Sequence, residues 1–145
     1  MQMEGEWESH LAPDELWARL TDAAFLASCL ENVDVVKSDH EAATWRMRPA
    51  LGFMTGSIET TLTIHDLVPM TSMDATVFTK GIGASTTVET HLTFSPKDQG
   101  SVVHWEANVT KLTGLLKMTP TGLVQGAAQK VVTDVWTQIA NKLAK

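Results

Sequence analysis

Tyrosine is absent from the 145 residues, and cysteine occurs once, at Cys29. A single cysteine closes no intramolecular disulfide and builds no all-cysteine metal site, which fits a reducing compartment. Positive charge is scarce. Eleven Lys and Arg stand against 17 Asp and Glu, a formal net charge of −6, and they are scattered over short segments. The clustered cations that bind nucleic acid or an anionic membrane surface by counterion release are missing. No run of about 18 uncharged apolar residues occurs, so no integral membrane segment is expected. The opening MQMEGEWESH has neither the basic start nor the apolar centre of a secretory signal. A cytoplasmic protein is expected. What is present is globular composition: 43% apolar and 19% charged residues in a chain of single-domain length, read as one domain over residues 1–145.

The first residues alternate, with Met1, Met3, Gly5 and Trp7 on one parity and Gln2, Glu4, Glu6 and Glu8 on the other, the period-2 pattern of a half-buried strand. In HLAPDELWARLTD, Pro13 suits a first helical turn and Asp14 and Glu15 favour the positive end of the helix dipole. Ala23 to Asn32 has helical spacing at Phe25, Leu26, Cys29 and Leu30, a second short helix. From Val33 to about Val109 the composition turns to Val, Thr and Ile with frequent turn residues. Six strands are expected: Val33–Ser38, Ala43–Arg48, Thr55–Leu67, Thr71–Thr79, Ala84–Ser95 and Ser101–Thr113. The short breaks between them are hairpins, which makes the sheet antiparallel. After Gly114, an apolar stripe through Leu123, Val124, Ala127, Ala128, Val131, Val132, Val135, Trp136, Ile139 and Leu143 marks one long helix.

This order predicts an α+β fold: a seven-stranded curved antiparallel sheet, first strand beside last, wrapped around the C-terminal helix. Such a sheet leaves an apolar hollow in front of the helix, the kind of space that takes small ligands. Strand parity nominates its wall as Trp45, Met47, Ile58, Thr60, Leu62, Met73, Val77, Thr86, Val88, Thr90 and Trp105. Ala127, Ala128 and Val131 face it from the helix. The small Ala127 and Ala128 allow either a close approach to the sheet or room for a ligand. Each wall residue taken alone reads as ordinary core; as a set they would line whatever hollow exists.

Two patterns with chemical potential reduce to structure. Gly81-Ile82-Gly83 lacks a third glycine and precedes a strand rather than a helix, so it reads as a hairpin turn and not a phosphate loop. Pairing the last two strands with residue 94 opposite 101 sets His91 opposite His104 and Glu89 opposite Glu106, with Glu4, Glu6 or Glu8 nearby. Two imidazoles and a carboxylate would suit zinc, but this parity is the solvated one. The expectation is therefore a polar exterior with no metal and no covalent cofactor. Cys29 has no local activating base and reads as a buried structural thiol.

The segments APDELWARLTDAAFLASCLENVDVV, TGSIETTLTIHDLVP, KGIGASTTVETHLTFSP, SVVHWEANVTKLTGLL and GAAQKVVTDVWTQIANKL together resemble the helix-grip fold of the START and pollen-allergen (SRPBCC) superfamily. Within it they are similar, along the whole chain, to the branch of the G subunit of carbon monoxide dehydrogenase. Glu31-Asn32 stands where that branch commonly has Pro-Gly, and Ala84-Ser85-Thr86 where it often has further glycines. The resemblance implies a non-catalytic carrier for an apolar, lipid- or quinone-like molecule. It also implies service to a molybdenum hydroxylase such as carbon monoxide dehydrogenase, through which the protein would reach the inner membrane face. Longer members continue past the terminal helix, so anchoring by this chain itself is not expected. The competing reading is a polyketide cyclase or dehydratase-type enzyme using the same hollow. It needs a titratable group on the buried parity, and the wall offers no His, Asp, Glu or Tyr.

Overall fold

A computed structural model describes residues 2–48, 57–81, 83–118 and 120–143, leaving the side chains of residues 115, 116, 121, 124, 127 and 128 outside the description. The chain runs β1 (Gln2–Ser9), α1 (Pro13–Leu20), α2 (Ala23–Ser28), β2 (Asp34–Ser38), β3 (Ala42–Met47), β4 (Ile58–Val68), β5 (Ser72–Gly81), β6 (Ala84–Lys97) and β7 (Gly100–Gly114). A 3-10 turn (Leu115–Met118) then leads into α3 (Thr121–Leu143). One antiparallel sheet takes the order β1-β7-β6-β5-β4-β3-β2. The expected first-beside-last closure is present, because β1 and β7 pair from Gln2↔Asn108 to Ser9↔Ser101.

Local chemistry explains the short helices. Pro13 opens α1, acidic Asp14 and Glu15 sit in its first turn, and Arg19 sits in its last, each matching the helix dipole. Asp22 caps α2 by accepting from the Ala24 amide at 3.1 Å. α2 ends at Ser28, earlier than the expected Asn32, and Asn32 itself turns the chain at a φ of 61°. The two helices close one end of the sheet. Leu16 (0% exposed) and Leu20 lie at the centre of a core shared with Ala23, Ala27, Met73, Leu92, Phe94 and Val103, and the Trp17 indole meets Phe94 edge-on at 5.1 Å.

Helix α3 is fastened to this core by its C-terminal turns. Ile139 (4% exposed) and Leu143 are buried, and Trp136 stacks on Trp7 of β1 at 5.5 Å. The Gln138 side chain accepts from the Glu31 amide at 2.7 Å. The stripe read from the sequence is too broad for one face. At 3.6 residues per turn Val131 is rotated about 80° from Ile139, and Leu123 about 160°; they are 61% and 68% exposed. Val131 is therefore a correction, since it flanks the buried face instead of lying in it. Ala127 and Ala128 fall on side chains outside the description.

The β6–β7 hairpin also differs from expectation. Its strands pair out to Lys97↔Gly100, around a turn in which Asp98 has a φ of 54°. Pro96 joins the strand because β5 stops pairing at Ser72↔Thr93, so β6 has a free edge there, where a residue without an N–H is tolerated. The register is consequently shifted by two from the expected one, and His91 lies opposite Glu106, not His104.

Candidate functional site

Because successive side chains alternate across a sheet, the registers sort the described residues into two walls. The inner wall is a set of cross-strand rows. Nearest α1 and α2 are Met73–Leu92–Trp105–Gly5 and Ile64–Ala75–Thr90–Ala107–Met3. The next are Ala43–Leu62–Val77–Val88–Val109 and Trp45–Thr60–Thr79–Thr86–Leu112, and Met47 and Ile58 pair at the far end. The strand residues nominated from the sequence therefore do share one face. Gly5 is glycine for a reason visible here: a Cβ on it would meet the Trp105 ring at 2.7 Å.

Burial along this wall falls with distance from α1 and α2 on β5, β6 and β7, whereas on β3 and β4 Ala43, Trp45, Thr60 and Leu62 stay buried. Met73, Ala75, Leu92, Phe94, Val103, Trp105 and Ala107 are buried, whereas Val77, Val88 and Val109 are half-buried, as are Ile58, Thr79, Thr86 and Leu112. Met47, expected inside, is 38% exposed. The same gradient runs along α3, from buried Leu143 and Ile139 to half-buried Val135 and Val132. Among the described residues, the inner wall of β5, β6 and β7 away from α1 and α2 is therefore apolar and only half-covered.

Polar groups on this wall are few and uncharged. Among the described residues, Thr60 (7% exposed) and Ser101 are the buried polar side chains. Ser101 is committed to structure, donating to the Leu11 carbonyl at 2.9 Å. Thr60 shares a hydrogen bond with Thr79 at 3.2 Å. Thr79 and Leu112 are not among the residues that strand parity nominates. The sequence pattern puts Thr79 at the very end of its strand, and a bulge between Val109 and Lys111 switches the parity of β7 so that Leu112 points inward. Cys29 is buried, its thiol donating to the Phe25 carbonyl at 3.3 Å. Burial pushes its pKa up, the opposite of what a nucleophile needs.

The outer face is polar. One row crosses five strands as His65–Asp74–His91–Glu106–Glu4. Asp74 pairs with the His91 Nδ1, and His104 lies 3.9 Å from Glu6 and 3.5 Å from Glu106. His65 contacts Asp66 at 2.6 Å and Thr76 at 2.8 Å, and Thr76 donates to Glu89 at 2.8 Å. Ligand atoms of Glu4, His104 and Glu106 can lie within 4.8 Å of one another, as can those of His65, Asp66 and Asp74. A depression of ≈ 260 Å³ beside them is lined by Gln2, Asp74, Glu89, Thr90, His91, Glu106, Ala107 and Asn108, a mixed lining that carries four titratable side chains. Exposed ion pairs of this kind contribute about 0 to 1 kcal/mol. Replacing His91 and His104 together by Ala should lower Tm by no more than about 3 °C in calorimetry. Stoichiometric zinc in the purified protein, lost in that double variant, would instead make this face a metal centre.

The comparisons agree with the geometry. The family model of the carbon monoxide dehydrogenase G subunit (CoxG) matches residues 5–144. The chain belongs to the CoxG family. No curated protein matches the sequence. Among solved structures, a conserved protein from Geobacillus kaustophilus superposes with a TM-score of 0.83 at 15% identity, covering 99% of this chain and 95% of that one. The structure of Ara h 8.0201 gives 0.65 at 13% identity, with 99% and 96% covered. DynU16, of the dynemicin biosynthetic locus, gives 0.63 at 13% identity, with 99% of this chain and 47% of that one covered. At these identities the superpositions establish the helix-grip fold of this CoxG-family protein. No helix among its described residues is long and apolar enough to cross a membrane.

Proposed function

We propose that the protein is a non-catalytic carrier that holds an uncharged apolar molecule, of lipid or quinone type, against the inner wall of the sheet. The observation that carries this reading is the graded burial of the wall. A close-packed core would bury Val77, Val88 and Val109 as fully as it buries Met73 and Val103; here they stay half-buried although Ala43 and Leu62 in the same row are buried. Apolar surface left in a concave wall is where a ligand gains most from leaving water. The family membership supports service to a carbon monoxide dehydrogenase or related molybdenum hydroxylase as the partner, and the net charge of −6 disfavours nucleic acid.

The wall favours carriage over a cyclase or dehydratase activity. Acid-base catalysis needs a titratable side chain within reach of the substrate. Among the described residues, the paired inner-facing positions of β3 to β7 hold apolar residues, alanine, glycine, threonine and the already bonded Ser101. The decisive experiment is mass spectrometry of an organic extract of the purified protein, with titration by a neutral naphthalene-based dye. A defined apolar molecule in the extract, or saturable dye uptake near one per chain, is the expected result. An empty extract together with no dye uptake would overturn the carrier reading.

A further inference from the structure

Resting on the carrier reading, we infer that the Thr60–Thr79 hydroxyl pair, with Thr86 beside it, is the site that recognises a single neutral oxygen of the ligand, a ketone, phenol or alcohol and not a carboxylate. The three threonines are consecutive in one cross-strand row, Thr60↔Thr79 and Thr79↔Thr86. Thr60 lies where β4 passes from buried to half-buried, with Leu62 and Ile64 buried on its core side and Ile58 half-buried on the other, while Thr79 and Thr86 stand in the half-buried part of the wall next to Val77 and Val88. A molecule lying along the half-buried Val77, Val88 and Val109 has these hydroxyls in the adjoining cross-strand row.

The pair is chemically incomplete by itself. Each threonine hydroxyl carries one proton and two lone pairs, and the contact between Thr60 and Thr79 at 3.2 Å uses one proton of the two. Whichever hydroxyl accepts in that contact has its own proton left to donate. The pair can therefore both donate to and accept from a ligand oxygen. A carbonyl, which only accepts, and a hydroxyl, which does both, are each satisfied. A carboxylate is not, because no Lys, Arg or His occupies the paired inner positions of β3 to β7 among the described residues, and a charge moved there would go uncompensated.

The test compares three probes with one ring system, naphthalene, 2-naphthol and 2-naphthoate, by competition against the dye at neutral pH. A net hydrogen bond is worth about three- to ten-fold in affinity, so naphthol should bind by that factor more tightly than naphthalene, and naphthoate more weakly than either. In Thr60→Val/Thr79→Val the naphthol-to-naphthalene ratio should fall to about one. Replacing both partners of a hydrogen bond by apolar groups of the same shape leaves folding nearly unaffected, so the ratio remains measurable. The outer-face pair Thr44 and Thr61, 3.0 Å apart, supplies the control, and Thr44→Val/Thr61→Val should leave the ratio as it was. Equal binding of naphthol and naphthalene by the unmodified protein would refute the hydroxyl site and leave the carrier reading standing. Naphthoate binding as tightly as naphthol would refute the neutral class, and failure of all three probes and the dye would remove both readings.

Discussion

Ile139→Asp should abolish the cooperative unfolding transition, while Val131→Asp, eight residues earlier on the same helix, should keep it. Ile139 is buried in the turns of α3 that are fastened to β1 through Trp136 and to Glu31 after α2 through Gln138. An aspartate there loses the transfer free energy of the isoleucine and places a carboxylate without a partner in the core. Together these cost at least about 4 kcal/mol, a large part of the stability of an ordinary domain. Val131 is largely exposed, and a charge at an exposed helical position shifts stability by about 0.5 kcal/mol or less. Circular dichroism melts of the two variants read the difference directly. Unfolding by the Val131 variant with a normal melt for the Ile139 variant would mean that the buried face of α3 is rotated by about 80° from that described.

The second large effect concerns binding. Val88→Phe adds a ring at the centre of the half-buried row, where Val88 lies between Val77 and Val109. If the trough has the room its exposure indicates, the phenyl group fills it without strain. Tm should then stay within about 3 °C while dye affinity falls at least ten-fold, about 1.4 kcal/mol. In a close-packed wall the same substitution would overpack and cost about 1 to 3 kcal/mol of stability. Destabilisation on that scale, with dye affinity unchanged, would identify these valines as plain core.

Much of the fold was legible because period-2 alternation survives in nearly every strand, and because Pro13, Asp14, Glu15 and the apolar residues of α3 carry local signals that tertiary structure did not override. The inner wall was legible for the same reason, since parity alone put Trp45, Thr60, Val77 and Val88 on one face. What escaped depends on events without a local signature. The bulge before Lys111 reverses the parity of β7 and hides Leu112. The free edge of β6 admits Pro96 into the ladder and shifts the hairpin by two, which separates His91 from His104 while leaving both outside. Hydrophobicity along α3 spans more of the helix than one sheet can cover, so the pattern could not tell Ile139 from Val131. Thr79 was lost to a strand boundary, and its importance comes from Thr60, a partner 19 residues away.

The Trp7–Trp136 stack and the buried last turns of α3 make that helix a beam clamped at one end. A beam held this way sets a firm stop at its fixed end, and among the described residues its earlier turns carry half-buried Val132 and Val135 and exposed Val131. On the carrier reading, a trough of this shape is poor at measuring how long a guest is, because extra length extends toward the more exposed Ile58 and Met47 at little cost. Whatever selectivity the protein has must then be exercised at the inner end, where Trp45, Thr60 and Leu62 are buried. Guests that share a head and differ in tail would be carried nearly alike.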